Sequence, residues 1–191
     1  AELASVLSSA EVVTCDLADT LGAVAMIERL AARLEDWRVL VNSASVFRPD
    51  AASALDPATF AEAMQVNAAA PAAMAQAFLR SARSQAGRRV IDLTDQKLAN
   101  PNPDFFSYTA SKHALAATVP MMAMAADRAD RIYALAPGAI LASHDQSPAE
   151  TESSHRMNLL ARRTGADDVG DATWFLATGP LSNGQTLFFD S

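Results

Sequence analysis

Five short runs rich in Val, Ile and Leu, separated by longer stretches of helical periodicity, constrain the fold of this chain more than any other feature. The runs are "EVVTC" (11–15), "RVLVN" (38–42), "RRVIDL" (88–93), "RIYALA" (131–136) and "QTLFF" (185–189), each about the length of a buried strand. Between the first two, Leu21, Val24, Ile27, Leu30 and Leu34 share one helical face, with Asp19 and Thr20 offering N-cap oxygens. A second helix is expected from Asp56 and Pro57 into the 70s, with a kink or break at Pro71. A third follows Tyr108, kinks near Pro120, and is apolar around most of its circumference through Leu115, Val119, Met121, Met122 and Met124. Burial against the sheet or a second subunit is expected for it, with the methionines as core. A last helix, near "ADDVGDATWFLA", precedes the final run.

Strands alternating with helices predict an α/β fold: a doubly wound parallel sheet, Rossmann-like and three-layer αβα, since right-handed crossovers cover both faces with helices. The 191 residues fit a single domain spanning 1–191. Ligands of such sheets sit outside the carboxyl ends of the strands, where Asp16, Asn42 to Ser45, Asp95 and Pro137–Gly138 fall. The polar stretch 141–156 reads as a mobile loop or lid beside that edge. A complete fold of this kind opens with a strand and a Gly-rich turn that presents N–H groups to a pyrophosphate, yet none of the seven glycines forms such a loop. Either the sequence starts inside or after the first crossover, or the domain has lost its phosphate loop.

The 22 acidic and 15 basic side chains give a formal charge of −7 with no basic cluster, which sets nucleic acid aside as a partner. No apolar stretch reaches the roughly 20 residues that span a bilayer, so a soluble, cytoplasmic protein with no membrane association is expected. The lone Cys15, inside an apolar run, reads as a small core residue. His113, His144 and His155 lack metal-site spacing and read as surface or loop residues, so no metal is assigned.

Tyr108 and Lys112 stand four apart, on one face of a helix with a rise of about 6 Å between them. An ammonium near a phenol favours the phenolate and brings a group of ordinary pKa about 10 closer to working pH. Taken alone, the pair is equally a solvated lysine beside a half-buried ring. The sequence around it narrows the choice: "SYTASK" follows a strand end and a polar loop, "LAPGAI" follows a later strand, "LVNSAS" an earlier one, and "QVNAAAP" lies in a helix. In this order and spacing the four motifs resemble the short-chain dehydrogenase/reductase family over essentially the whole chain.

That resemblance implies an NAD(P)H-dependent oxidoreductase in which Tyr108 donates or accepts the proton, Lys112 holds the nicotinamide ribose and lowers the tyrosine pKa, and Asn67 supports a water-linked proton relay. It further implies that Asp16 contacts the adenine, that Asn42, Ser43, Ala44 and Ser45 lie beside the adenine ribose, and that Thr94, Pro137 and Gly138 line the cofactor. Ser43 and Ser45 depart from the family's Asn-Asn-Ala-Gly. NADPH is favoured, NADH stays open, and a homo-tetramer or dimer is implied.

Asp95, thirteen residues before Tyr108, stands where most of the family has a serine that holds a substrate carbonyl. An ionised carboxylate only accepts hydrogen bonds and repels a developing alkoxide, but it suits a substrate that carries N–H groups. An aspartate here is similar to the pteridine reductase branch, which includes bacterial dihydromonapterin and dihydrofolate reductases. "NSASVFRPD" agrees, since it resembles the stretch whose aromatic, here Phe47, sandwiches a pterin against the nicotinamide. Ser45 would lie near that pterin, and Arg48 is a weaker candidate for a substrate contact. The expected reaction is hydride transfer to a C=N bond of a pterin or dihydrofolate-like substrate, with Asp95, Tyr108 and Lys112 sharing protons as a set. Two alternatives stay open: a short-chain reductase of another carbonyl or imine, and a non-catalytic relative that only binds.

Overall fold

The computed structural model describes residues 9–140, 147–156, 158 and 160–189. Its sheet has four parallel strands in sequential order: β1 (Val39–Asn42), β2 (Arg89–Leu93), β3 (Arg131–Pro137) and β4 (Thr186–Phe189). The helices are α1 (Thr20–Arg33), α2 (Pro57–Met64), α3 (Ala70–Ser81), α4 (Phe106–Ala125), α5 (Pro148–His155) and α6 (Ala166–Thr178). Alternate residues of each strand serve opposite faces. Leu40, Val90, Ile132 and Ala134 pack with Ile27 of α1, Phe78 of α3 and Val119 of α4. Ile91, Tyr133 and Leu135 pack with Ala172 and Leu176 of α6. Helices therefore cover both faces of a parallel sheet, as the alternation of strands and helices predicts.

Local signals account for the helix boundaries. Asp19 Oδ1 accepts from Gly22 N at 3.0 Å and caps α1, while Asp56 Oδ1 accepts from Thr59 N at 2.7 Å and caps α2. The expected break near Pro71 takes the form of a π-helical segment, Gln65–Ala69, which joins α2 to α3. Because proline has no N–H, the helix can widen there without losing that bond, and its wide turn carries Asn67. Helix α4 passes through Pro120 without interruption. Among the described residues no helix is long and apolar enough to cross a membrane.

Several expectations need correction. "EVVTC" is not a strand: no ladder reaches it among the described residues, Val12 and Val13 are exposed, and an apolar run without a hydrogen-bonding neighbour is not a strand. Cys15 is only half-buried, against the α1 side of the core. Of the methionines expected in the core, Met122 is buried, but Met121 and Met124 project from α4 into solvent, since only one side of that helix meets the sheet. Within the stretch expected to be a loop, 148–155 is helical, while 141–146, which includes His144, lies outside the described residues. His113 is exposed as expected, but His155 is buried, because it sits on the inward side of the α5 terminus.

Candidate active site

Strands β1, β2 and β3 all end on the same edge of the sheet, so Asn42, Thr94–Asp95 and Gly138 are neighbours at their carboxyl ends. Asn42 is in register with Asp92, and its Nδ2 donates to Asp92 Oδ1 at 2.8 Å and to the Pro71 carbonyl at 3.3 Å. Thr94 is buried, and both its N–H and its Oγ1 donate to the Leu135 carbonyl, at 2.8 and 3.1 Å. These bonds tie β1, β2, β3 and the first turn of α3 together beneath the site.

Helix α4 brings Tyr108 and Lys112 over the end of β2. Tyr108 donates its hydroxyl to Asp95 Oδ2 at 2.6 Å, and Asp95 Oδ1 accepts from Lys97 N at 2.8 Å, which starts the 3₁₀ turn Gln96–Leu98. Lys112 Nζ donates to the Leu93 carbonyl at 2.8 Å and lies 5.6 Å from the centroid of the Tyr108 ring. The three residues expected to share protons are thus assembled.

Their electrostatics differ from the expectation in one respect. Burial, the Asp95 charge and the hydrogen bond to it all push the Tyr108 phenol above its ordinary pKa. Lys112 is itself shifted: burial lowers it to about 8, against the opposing pull of Asp95 and Asp92. Tyr108 therefore keeps its phenolic proton.

Asn67 is fully buried in the π-helical segment and reaches both walls of the site. Its Oδ1 accepts from Val46 N at 2.7 Å, while its Nδ2 donates to the Val46 carbonyl at 2.9 Å and to Ser111 Oγ at 3.0 Å. Ser111 Oγ in turn donates to the Tyr108 carbonyl at 2.6 Å. The amide thereby locks the loop after β1 to helix α4.

That loop presents Phe47, 44% exposed, beside the Tyr108 ring. Its ring stacks on Phe105 with centroids 4.0 Å apart and meets Tyr108 edge-on at 4.6 Å. Lys97 Nζ lies 5.1 Å from the Phe105 centroid. Phe105 adopts a left-handed backbone with φ 53°, and Asp50 supports the turn by capping α4. Its carboxylate accepts from Ser107 N, at 3.0 Å to Oδ1, and also from Ser107 Oγ, while its carbonyl accepts from Phe105 N at 2.8 Å.

The remaining expected residues are less engaged. Ser43, Ala44 and Ser45 are exposed beyond β1, and among the described residues Ser45 Oγ makes only a 3.4 Å bond to the Val46 carbonyl. Asp16 is exposed and accepts from Ala18 N at 2.9 Å. Gly138, after Pro137, donates its N–H to the Phe189 carbonyl at 3.1 Å. Arg48 is held by Glu62 in a two-pronged surface pair.

Sequence reasoning missed Asp50, Asp92, Lys97, Phe105 and Ser111. A carboxylate inside the run "RRVIDL" was a visible signal for Asp92. Asp50 was not legible, because the helix it caps begins more than fifty residues away.

The arrangement offers a protonated phenol, a carboxylate able to accept from N–H groups, an ammonium and an exposed aromatic face at one sheet edge. A family model described as Enoyl-(Acyl carrier protein) reductase matches residues 1–191. An uncharacterized oxidoreductase of Escherichia coli K12, YohF, is 30% identical over 188 residues, covering 95% of this chain and 74% of the relative. A similar solved structure is FolM alternative dihydrofolate reductase 1 from Brucella suis in complex with NADP, at 29% identity and a TM-score of 0.85, covering 93% of this chain and 71% of that one. The corresponding Brucella canis structure, also with NADP, has the same identity and TM-score over 94% of this chain and 71% of its own. A 3-oxoacyl (acyl-carrier-protein) reductase from Agrobacterium tumefaciens C58 shares the fold at 24% identity and a TM-score of 0.83, over 93% of this chain and 72% of its own.

Proposed function

The chain belongs to the short-chain dehydrogenase/reductase family, and we propose that it is an NADPH-dependent reductase of a C=N bond in a pterin or dihydrofolate-like substrate. The observation that carries this reading is the 2.6 Å bond from the Tyr108 hydroxyl to Asp95 Oδ2, a carboxylate where the family resemblance leads one to expect a serine. The likeness to the two Brucella FolM structures supports it.

The donor set fits a nicotinamide dinucleotide. Among the described residues the Lys112 ammonium makes one hydrogen bond, to the Leu93 carbonyl, which leaves N–H groups for ribose hydroxyls. Asn42, Ser43, Ala44 and Ser45, together with Asp16, Thr94, Tyr108, Pro137 and Gly138, are the other residues that would hold it. Bound NADPH supplies a hydride.

Tyr108 supplies the matching proton. Held above its ordinary pKa, the phenol delivers it to the substrate nitrogen directly or through one water, so that C=N becomes CH–NH. Asp95 accepts from an amino or ring N–H of the substrate, which orients the flat ring and leaves the Tyr108 proton free to transfer. Asn67 holds the Val46 backbone and, through Ser111 Oγ, the Tyr108 carbonyl, and supports reprotonation of Tyr108 from water. Phe47 offers a planar wall for the heteroaromatic ring, with Ser45 at its edge.

Asp95→Ser tests the reading. Cofactor binding is retained and pterin turnover falls by about 10²-fold or more, the scale of a lost proton-transfer or orienting group. Equal pterin turnover in that variant removes Asp95 from the mechanism.

A further inference from the structure

Asp92 does not touch the substrate face, yet it is a carboxylate set into the middle of the sheet. Its side chain is fully buried on β2, between Asn42 of β1 and Ala134 of β3 in register. Asn42 satisfies Oδ1 at 2.8 Å, and Oδ2 has no hydrogen-bond partner among the described residues. A half-satisfied buried carboxylate is unfavourable unless a positive charge faces it, and a neutral amide would serve the Asn42 bond equally well.

The charge that faces it is Lys112, whose ammonium is anchored to the carbonyl of Leu93, the residue after Asp92 on the same strand. The other groups around the pair are few. Asn42 approaches from β1, the uncharged Ala134 from β3, Tyr108 from α4, and Asp95, which also acts on Lys112, from the end of β2.

We infer that Asp92 is a positioning residue of the reductase site, a buried counter-charge that keeps the Lys112 ammonium protonated and seated against β2, with Asn42 fixing the carboxylate. Its consequence for turnover rests on the reductase reading above; the electrostatic link itself does not. Burial pushes Asp92 up to about 7 and Lys112 down to about 8, and each charge draws the other back. Removing the Asp92 charge leaves Asp95 as the one carboxylate supporting Lys112, so the lysine loses its proton at lower pH.

The test has two arms. In the near-isosteric Asp92→Asn variant, the basic limb of NADPH binding and turnover moves to lower pH by about half a unit or more, a displacement that a purely structural role does not produce. Independently, the side-chain carboxyl of Asp92 is titrated by carbon-13 NMR in the wild-type protein and in Lys112→Met. The midpoint rises in Lys112→Met, because the facing ammonium is gone. An unchanged midpoint, or an unmoved basic limb in folded Asp92→Asn, overturns the inference. The carboxyl titration requires no turnover, so it decides the matter even if Asp92→Asn does not fold or no tested substrate is reduced.

Discussion

The Tyr108 hydroxyl donates to Asp95 Oδ2 at 2.6 Å, so the proposed proton donor of this site is bonded to a carboxylate before any substrate arrives. A charge-assisted bond of this kind contributes roughly 1.5–3 kcal/mol and fixes the ring orientation. Replacing Tyr108 with Phe removes the proton but keeps the ring that meets Phe47. Turnover is expected to fall by about 10²–10⁴-fold with NADPH affinity changed far less, as checked by steady-state rates beside a fluorescence titration of the cofactor.

Lys112 is expected to set the alkaline side of the activity. Burial lowers its pKa to about 8, so the ammonium that would hold the ribose disappears as pH rises through that value. The apparent affinity for NADPH should weaken above about pH 8 with the loss of one proton, measured across a pH series. A limb only near the ordinary lysine value, about 10.4, would contradict the buried placement.

Asp92 acts on stability with the opposite sign to most carboxylates. Its folded pKa, about 7, exceeds its unfolded value of 3.8, so the folded chain holds the proton between these limits. Its contribution is fully present below the unfolded value and is lost as pH rises through about 7. Urea unfolding at pH 5 and pH 7.5 should show this loss in the wild type, and Asp92→Asn should reduce the difference between the two.

Asp50 links fold to site. Its carboxylate caps α4 through Ser107, the residue immediately before Tyr108, and its carbonyl holds Phe105 in the left-handed turn. Asp50→Ala should cost about 1–2 kcal/mol in denaturant unfolding and lower turnover among the molecules that remain folded. Full turnover at equal folded fraction would show that α4 is positioned without the cap.

Phe47 is the proposed planar wall. Phe47→Ala should raise KM for a flat heteroaromatic by roughly tenfold, in line with the 0.5–1.5 kcal/mol of an aromatic pair, and leave KM for NADPH little changed. Kinetics with both substrates varied separate the two.

How far the sequence reveals this architecture depends on how local each cause is. The strands β1 to β4 and the caps Asp19 and Asp56 follow from runs and side chains within a few residues, and they stand as expected. "EVVTC" has the same composition, but strand formation requires a ladder partner, which no run specifies for itself. The spacing of Tyr108 and Lys112 places them on one helical face. It does not reveal that the phenol is bonded to Asp95, nor that Lys112 shares its buried surroundings with Asp92. Those relationships depend on β2, α4 and β1 meeting, as do the cap from Asp50 and the stacking of Phe47 on Phe105. Met121 and Met124 show the converse, since an apolar helix circumference does not say which side meets the sheet.

The central claim is that Asp95 commits this reductase fold to substrates bearing N–H groups. The measurement that tests it most directly is NADPH consumption by the protein with dihydropterins and dihydrofolate beside a panel of ketones, at several pH values. The account predicts turnover confined to the pterin-type substrates. Turnover of ketones alone would contradict it.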